Sequence, residues 1–232
     1  MRNALRIAWR EIRWEIFGDR GSILRMGLFA ILPVIFILGE RGQNFNDAAL
    51  FTLALQCAFF PALSGVALIS STFTQEKENG TIIPLLASPV RDIDMVVGKL
   101  VGMIGPTLAV CVGTLALYYV LATMRYGARV GVALPPQVLY ALVMIALLYL
   151  LTAGSWVLIV AALVKTSRAG QQITGLLIGL SVAVFVGLGV FASQVADGWA
   201  LVGLGVALVL SDAVALEIAR RVWRREEVLA RI

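Results

Sequence analysis

The chain has 232 residues, 60% of them hydrophobic and 14% charged, with a mean hydropathy of +0.92. A soluble domain carries roughly 25% charged residues, so this composition excludes a water-soluble core and points to a membrane. The net charge of +5 does not indicate nucleic acid, because the arginines gather at the two chain ends beside apolar runs rather than on a basic face with interleaved aromatics. There is no histidine, and the two cysteines, Cys57 and Cys111, fall inside apolar runs, so metal and acid–base chemistry are not expected.

Residues 1–22 read as an amphipathic helix lying on the membrane surface. Leu5, Trp9, Ile12 and Ile16 recur at spacings of four, three and four and share one face. Arg6, Arg10 and Arg13 flank one side of that stripe, and Glu11 and Glu15 flank the other, the pattern of an interfacial helix. Gly18 and Gly21 can break it before the first span. Ile7 and Trp14 project opposite the stripe, which leaves two readings, a protein contact on that face or a simple topological anchor. The apolar run begins too late, and is followed by no small-residue cleavage pattern, for a signal peptide.

Six apolar segments follow, over residues 23–38, 48–73, 100–123, 138–164, 173–194 and 199–216. Each approaches the roughly 20 residues that cross a bilayer core as a helix, so the expectation is a six-span domain over 23–216 and a basic tail over 217–232. Sixteen of the 19 Lys and Arg fall at the chain ends and in the connections after the second and fourth segments, while Arg41, Arg125 and Arg129 fall in the others. By the positive-inside rule both termini are cytoplasmic, in an inner or plasma membrane.

Polar groups are sparse within these segments. Thr52, Gln56, Ser64, Ser70, Ser71 and Thr72 mark the second, Thr107 and Thr114 the third, and Ser155 and Ser193 the fourth and fifth. Such hydroxyls ordinarily bond their own backbone or a neighbouring helix. Gly98 with Gly102 and Gly175 with Gly179 have the small-residue spacing that lets helices approach closely, and Pro61 and Pro106 are expected to kink their spans. Asp212, about a turn inside the last span, reads as a helix-end group reaching headgroups or a neighbouring arginine. The span centres carry no ionisable group of the kind a gradient-driven carrier uses to bind or relay its coupling ion.

The chain has no phosphate loop either. Its Gly-Lys pair, Gly98-Lys99, is followed by Leu100 and has Ile93 where the upstream glycine would stand, so ATP hydrolysis is not expected here.

The stretch "QEKENGTIIPLLASPV", from Gln75 to Val90, interrupts two apolar runs. "QEKE" extends the second helix by a polar turn, and Asn79-Gly80 suits a left-handed helix stop. Thr81 can cap a new helix of about two turns, which Ser88-Pro89 ends. Ile82, Ile83, Leu85 and Leu86 make that helix apolar on most of its circumference. Leaving such side chains in water costs about 1.5–3 kcal/mol each, so something covers them: either the chain's own bundle or a groove on a soluble partner.

"EKENGTIIPLLASPV" followed by "VVGKLVG" resembles the first cytoplasmic loop of the type-2 ATP-binding cassette (ABC) permeases. That loop runs acid, base, acid, any residue, Gly-Thr, apolar, acid, any residue, Leu-Leu, any residue, Ser/Thr-Pro, then Gly-Lys. Glu76, Glu78, Gly80, Thr81, Leu85, Leu86, Ser88, Pro89, Gly98 and Lys99 occupy the family's positions. "SRAGQQITGLL", from Ser167 to Leu177, resembles the family's loop into the fifth span, and the likeness covers essentially the whole chain. Two departures stand out. Ile83-Pro84 replaces the acid after Gly-Thr-apolar, and "VADG" is a very short join between the fifth and sixth spans, where many relatives insert an external re-entrant hairpin.

The resemblance implies an all-α polytopic membrane protein of six transmembrane helices. An N-terminal amphipathic interfacial helix precedes them, and a short cytoplasmic coupling helix lies in the 74–99 loop between spans 2 and 3. It implies a non-catalytic permease subunit of an ATP-driven exporter that pairs with a second copy or a related paralogue. A separate nucleotide-binding ATPase subunit would hold ATP and Mg, with no cofactor in this chain. Coupling would run through Glu76, Glu78, Gly80, Thr81, Ile82, Leu85, Leu86 and Pro89, with Lys165 and Arg168 in the second cytoplasmic loop. Two other readings compete: a gradient-driven carrier or channel, and a membrane anchor or assembly factor that docks a soluble complex.

Overall fold

The computed structural model describes residue 9 and residues 20–39, 46–78, 92–164, 167–190 and 199–222. The described residues form seven α-helices and no strand: α1 (Arg20–Gly39), α2 (Asp47–Glu78), α3 (Asp92–Tyr126), α4 (Arg129–Ala133), α5 (Pro136–Leu163), α6 (Ser167–Val190) and α7 (Trp199–Val222). All-helical architecture follows from the solvent, since in lipid a helix satisfies its backbone hydrogen bonds internally. Four of the helices are long and apolar enough to cross a membrane, over Asp47–Ser70, Leu100–Tyr126, Pro136–Val160 and Leu201–Ile218. In α1 the apolar stretch is shorter, Met26–Ile35. α6 opens on the polar Arg168, Gln171 and Gln172. Residues 191–194 of the expected fifth segment lie outside the described residues, as do most of the interfacial helix and the basic tail.

Local chemistry sets the helix ends. The Asn46 side-chain oxygen accepts the Ala49 N–H at 2.8 Å and caps α2. Gly127, at φ 63°, turns the chain out of α3 in a conformation that a side chain would strain, and the short α4 follows, an element absent from the sequence expectation. Pro136 opens α5 at a position where its missing N–H costs nothing. Pro33, Pro61 and Pro106 lie inside α1, α2 and α3, each of which runs on past its proline.

α2 is the central helix, packed against α1, α3, α5 and α6, while α7 packs chiefly along α5. Pairs of side chains fix the directions. Gly65 meets Thr107, and the Tyr118 hydroxyl donates to Leu50 O at 2.8 Å, so α2 and α3 are antiparallel. Ser70 pairs with Thr174 and Phe59 with Phe185, so α2 and α6 are antiparallel as well. Thr152 lies near Leu208 and Trp156 near Ser211, so α5 and α7 run parallel. Parallel neighbours in that order require α6 to return along the bundle between them.

Contacts between helices use small residues, but Gly175 and Gly179 are not among them. Gly175 and Gly179 are exposed, and a Cβ on either would meet nothing within 4 Å. Close approach occurs instead at Gly65, where an added Cβ would collide with the Thr107 side chain. It occurs again at Gly154, where one would lie 3.0 Å from Leu100 Cδ2 and 3.4 Å from Ile69 Cδ1. Most hydroxyls bond their own helix as expected: Thr52 to Ala48 O, Thr107 to Met103 O, Thr114 to Val110 O and Ser181 to Leu177 O, each at 2.8 Å. Asp212 departs from its expected role. Its side chain is buried, 8% exposed, and Oδ1 finds no hydrogen-bond partner among the described residues, so it turns into the bundle rather than toward headgroups.

Candidate functional site

Two regions of the bundle bear on function, the end that carries the 79–91 connection and the aromatic centre. At the first, α2 and α3 are both long helices. α2 runs on to Glu78, about 12 Å beyond Ser70 at the rise of an α-helix, and α3 begins at Asp92, about 12 Å before Leu100. The two helices are held together by the Gly65–Thr107 contact, and Ile69, Leu100 and Ile104 gather around Gly154 of α5. The 79–91 connection therefore joins two long helices whose bases are packed tightly. α6 reaches the same end, where Thr174 shares a 2.8 Å hydroxyl–hydroxyl hydrogen bond with Ser70, both side chains being buried.

The described residues hold only part of the expected coupling set. Glu76 and Glu78 lie on the last turns of α2, while Gly80, Thr81, Ile82, Leu85, Leu86 and Pro89 lie outside the described residues. Of the interfacial stripe, Trp9 is helical and 67% exposed; Leu5, Arg6, Arg10, Ile12, Arg13 and Ile16 lie outside. Arg168 sits in the first turn of α6 and is exposed, and Lys165 lies outside. A rigid frame around the 79–91 connection is thus on view, and the connection's own contacts are not described.

At the opposite end Arg129 Nε stands 3.5 Å from Asp47 Oδ1, both side chains well exposed, and ties α4 to the start of α2. Such a solvent-facing pair contributes little stability and serves as a positional contact.

The centre of the bundle is aromatic. Phe59 of α2 stacks on Phe185 of α6, with ring centroids 3.7 Å apart, and Tyr149 of α5 meets both edge-on at 5.8 and 5.2 Å. The sequence reading did not single out this cluster, because its three members lie on three helices far apart in the chain and only the packing unites them. A spacing signal existed only for Gln56 and Phe59, three residues apart and so on one face of α2.

Comparison with known proteins agrees with this architecture. A search among curated proteins finds no match. The profile described as "ABC-2 family transporter protein" matches residues 26–206, from the first helix into the last and across the whole framed connection. A multi-pass helical bundle matched over more than three quarters of its length identifies the membrane domain of an ABC transporter; the chain belongs to the ABC-2 family of transporter proteins.

Proposed function

We propose that the chain is the membrane-embedded permease of an ATP-driven exporter. It forms the translocation path with a second copy or a related paralogue and is driven by a separate ATPase subunit. The observation that carries this reading is the frame of α2 and α3, two long helices packed on each other at Gly65 and both against Gly154 of α5, and joined by the 79–91 connection. A push on that connection moves α2, and α2 contacts five other helices, so the displacement reaches the bundle centre rather than dissipating in a loop. Thr81, Ile82, Leu85 and Leu86 form the apolar knob that meets the ATPase, with Gly80 and Pro89 bounding it. Glu76, Glu78, Lys165 and Arg168 flank the same contact. Six crossings with cytoplasmic termini place these elements on one side; the antiparallel run of α6 along α2 and the parallel run of α7 along α5 support that count.

The test is capture of the ATPase. Leu85→Asp or Leu86→Asp should leave the melting temperature of the purified permease unchanged, because on this reading the loop lies outside the bilayer. Either should weaken ATPase capture by at least about a hundredfold by burying an unpaired charge at the contact. A variant that is stable and still captures its ATPase and transports normally would overturn the coupling assignment. One that loses stability alone would show that the knob packs under its own bundle.

A further inference from the structure

Asp212 is the acidic side chain that the packing of the described residues buries, at 8% exposed, and it lies about 9 Å inside the end of the α7 span at Ile218. α7 packs chiefly along α5, and α5 has no charged residue from Pro136 to Leu163. The titratable groups of α5 are Tyr140, which is exposed, and Tyr149, which meets Phe59 and Phe185. On α7 itself Glu217 is exposed, and the first arginine, Arg220, stands about 12 Å further along the axis. The Asp212 carboxyl faces the Thr152 hydroxyl of α5 within hydrogen-bonding range, while its Oδ1 has no partner among the described residues. Oδ2 is therefore the oxygen turned to Thr152. About a turn further on, Trp156, Ile159, Ala215 and Ile218 close the contact with apolar surface.

Counting protons decides what this carboxyl carries. The Thr152 hydroxyl has a single proton to give. Its nearest acceptor is Leu148 O at 2.9 Å, with Leu208 O at 3.5 Å. While that proton goes to Leu148 O, the contact with Asp212 is a hydrogen bond only if the acid supplies the proton. An ionised carboxylate would instead draw the Thr152 proton from Leu148 O and still leave Oδ1 bare, a charge held by one hydrogen bond at bilayer depth. Burying such a charge costs far more than burying the neutral acid, and a buried carboxylate relieves that cost by taking up a proton. We infer that Asp212 is a proton-binding site: Oδ2 holds the proton and donates it to Thr152 Oγ1, fastening α7 to α5. A metal ion would need several oxygen ligands and room for them, whereas a proton needs one acceptor, and Thr152 is that acceptor. Trp156 donates to Ser211 beside it at 3.2 Å, so loss of the proton leaves α7 held by that bond and by apolar contacts.

Infrared difference spectra of the purified full chain in lipid nanodiscs test the site, with Asp212→Asn as the reference. At about pH 7, where an ordinary aspartate is ionised, the difference should show the carbonyl stretch of one protonated carboxylic acid. A carboxylate band in its place, as an arginine-held Asp212 would give, overturns the proposal. Thr152→Val should shift the carbonyl band, because the acid loses its acceptor, and Thr152→Ser should restore it. A band that Thr152→Val leaves unmoved would overturn the assignment of Thr152 as the acceptor. If Asp212→Asn folds poorly, heavy-carbon labelling of the aspartate carboxyls in the unsubstituted chain gives the same reading, with Thr152→Val tying the band to this contact. Raising the pH should convert the band to carboxylate, and tryptophan emission should change in step as α7 loosens beside Trp156. Asp212→Asn keeps a donor and cannot ionise, so its emission should stay constant over the same titration. An equal change in Asp212→Asn, or none in the unsubstituted chain as the band converts, would show that the proton does not fasten these helices.

Discussion

α2 and α7 are similarly apolar, and either could cross a membrane, yet 78% of the α2 apolar window is buried inside the bundle and only 17% of the α7 window. In water this difference would be visible as a polar face on the outer helix. In lipid it is not, because the surroundings of α7 are as apolar as the interior that surrounds α2. What separates the two helices is specific packing. α2 carries Gly65 against Thr107, the Tyr118 bond to Leu50 O and the Phe59–Phe185 stack, whereas α7 presents Val202, Val206, Leu210 and Val214 outward. α2 is packed among its neighbours, while α7 is anchored mainly along α5.

The largest break in this comparison should come from cavity formation. Phe51, in α2 and 2% exposed, should lose about 3 kcal/mol of stability on Phe51→Ala, while Leu210→Ala on the outward face of α7, 63% exposed, should cost less than about 0.5 kcal/mol. Thermal unfolding of both variants in one detergent reads the difference directly, and equal losses would mean that hydropathy alone governs these helices.

Glycine substitution should give the next effect. Gly65→Val drives a side chain into Thr107 and should destabilise the chain by about 1–3 kcal/mol, whereas Gly203→Val in α7 meets open space and should be close to neutral. Limited proteolysis along a temperature ramp would separate the two, and a stable Gly65→Val chain would show that α2 and α3 can move apart without cost.

The smallest effect sharpens the comparison from the α7 side. Trp156 Nε1 donates to Ser211 Oγ at 3.2 Å across the α5–α7 contact. Ser211→Ala should therefore cost about 0.6 kcal/mol, the usual worth of such a bond between membrane helices. Intrinsic tryptophan emission should shift as the indole loses its partner, and an unchanged melting curve and spectrum would place the hold on α7 in its apolar contacts alone.

Much of the fold was legible beforehand. Among the described residues the helices cover the apolar segments, with extensions at Gln75 to Glu78, Asp92 to Lys99, Ser167 to Gln172 and Glu217 to Val222, because long apolar runs and turn residues such as Gly127 and Pro135-Pro136 act locally. The coupling residues rest on resemblance rather than on periodicity, and Gly80, Thr81, Ile82, Leu85, Leu86 and Pro89 lie outside the described residues. The glycine pairs show where local reasoning stopped: Gly175 and Gly179 have the right spacing and face outward, while Gly65 and Gly154, without such partners in sequence, make the close contacts.

The sequence by itself determined that the chain is a helical membrane protein and where its apolar segments lie. Apolar length and backbone hydrogen bonding in lipid leave no other economical structure. Only the tertiary structure decided the rotation of each helix about its axis and the register between helices. It turned Asp212 inward, paired Ser70 with Thr174 across 104 positions of chain, and gathered Phe59, Tyr149 and Phe185 into one cluster. The physical reason is that a helix apolar on every side carries no inside–outside signal, so its orientation is settled by close packing and a few hydrogen bonds with helices distant in the sequence.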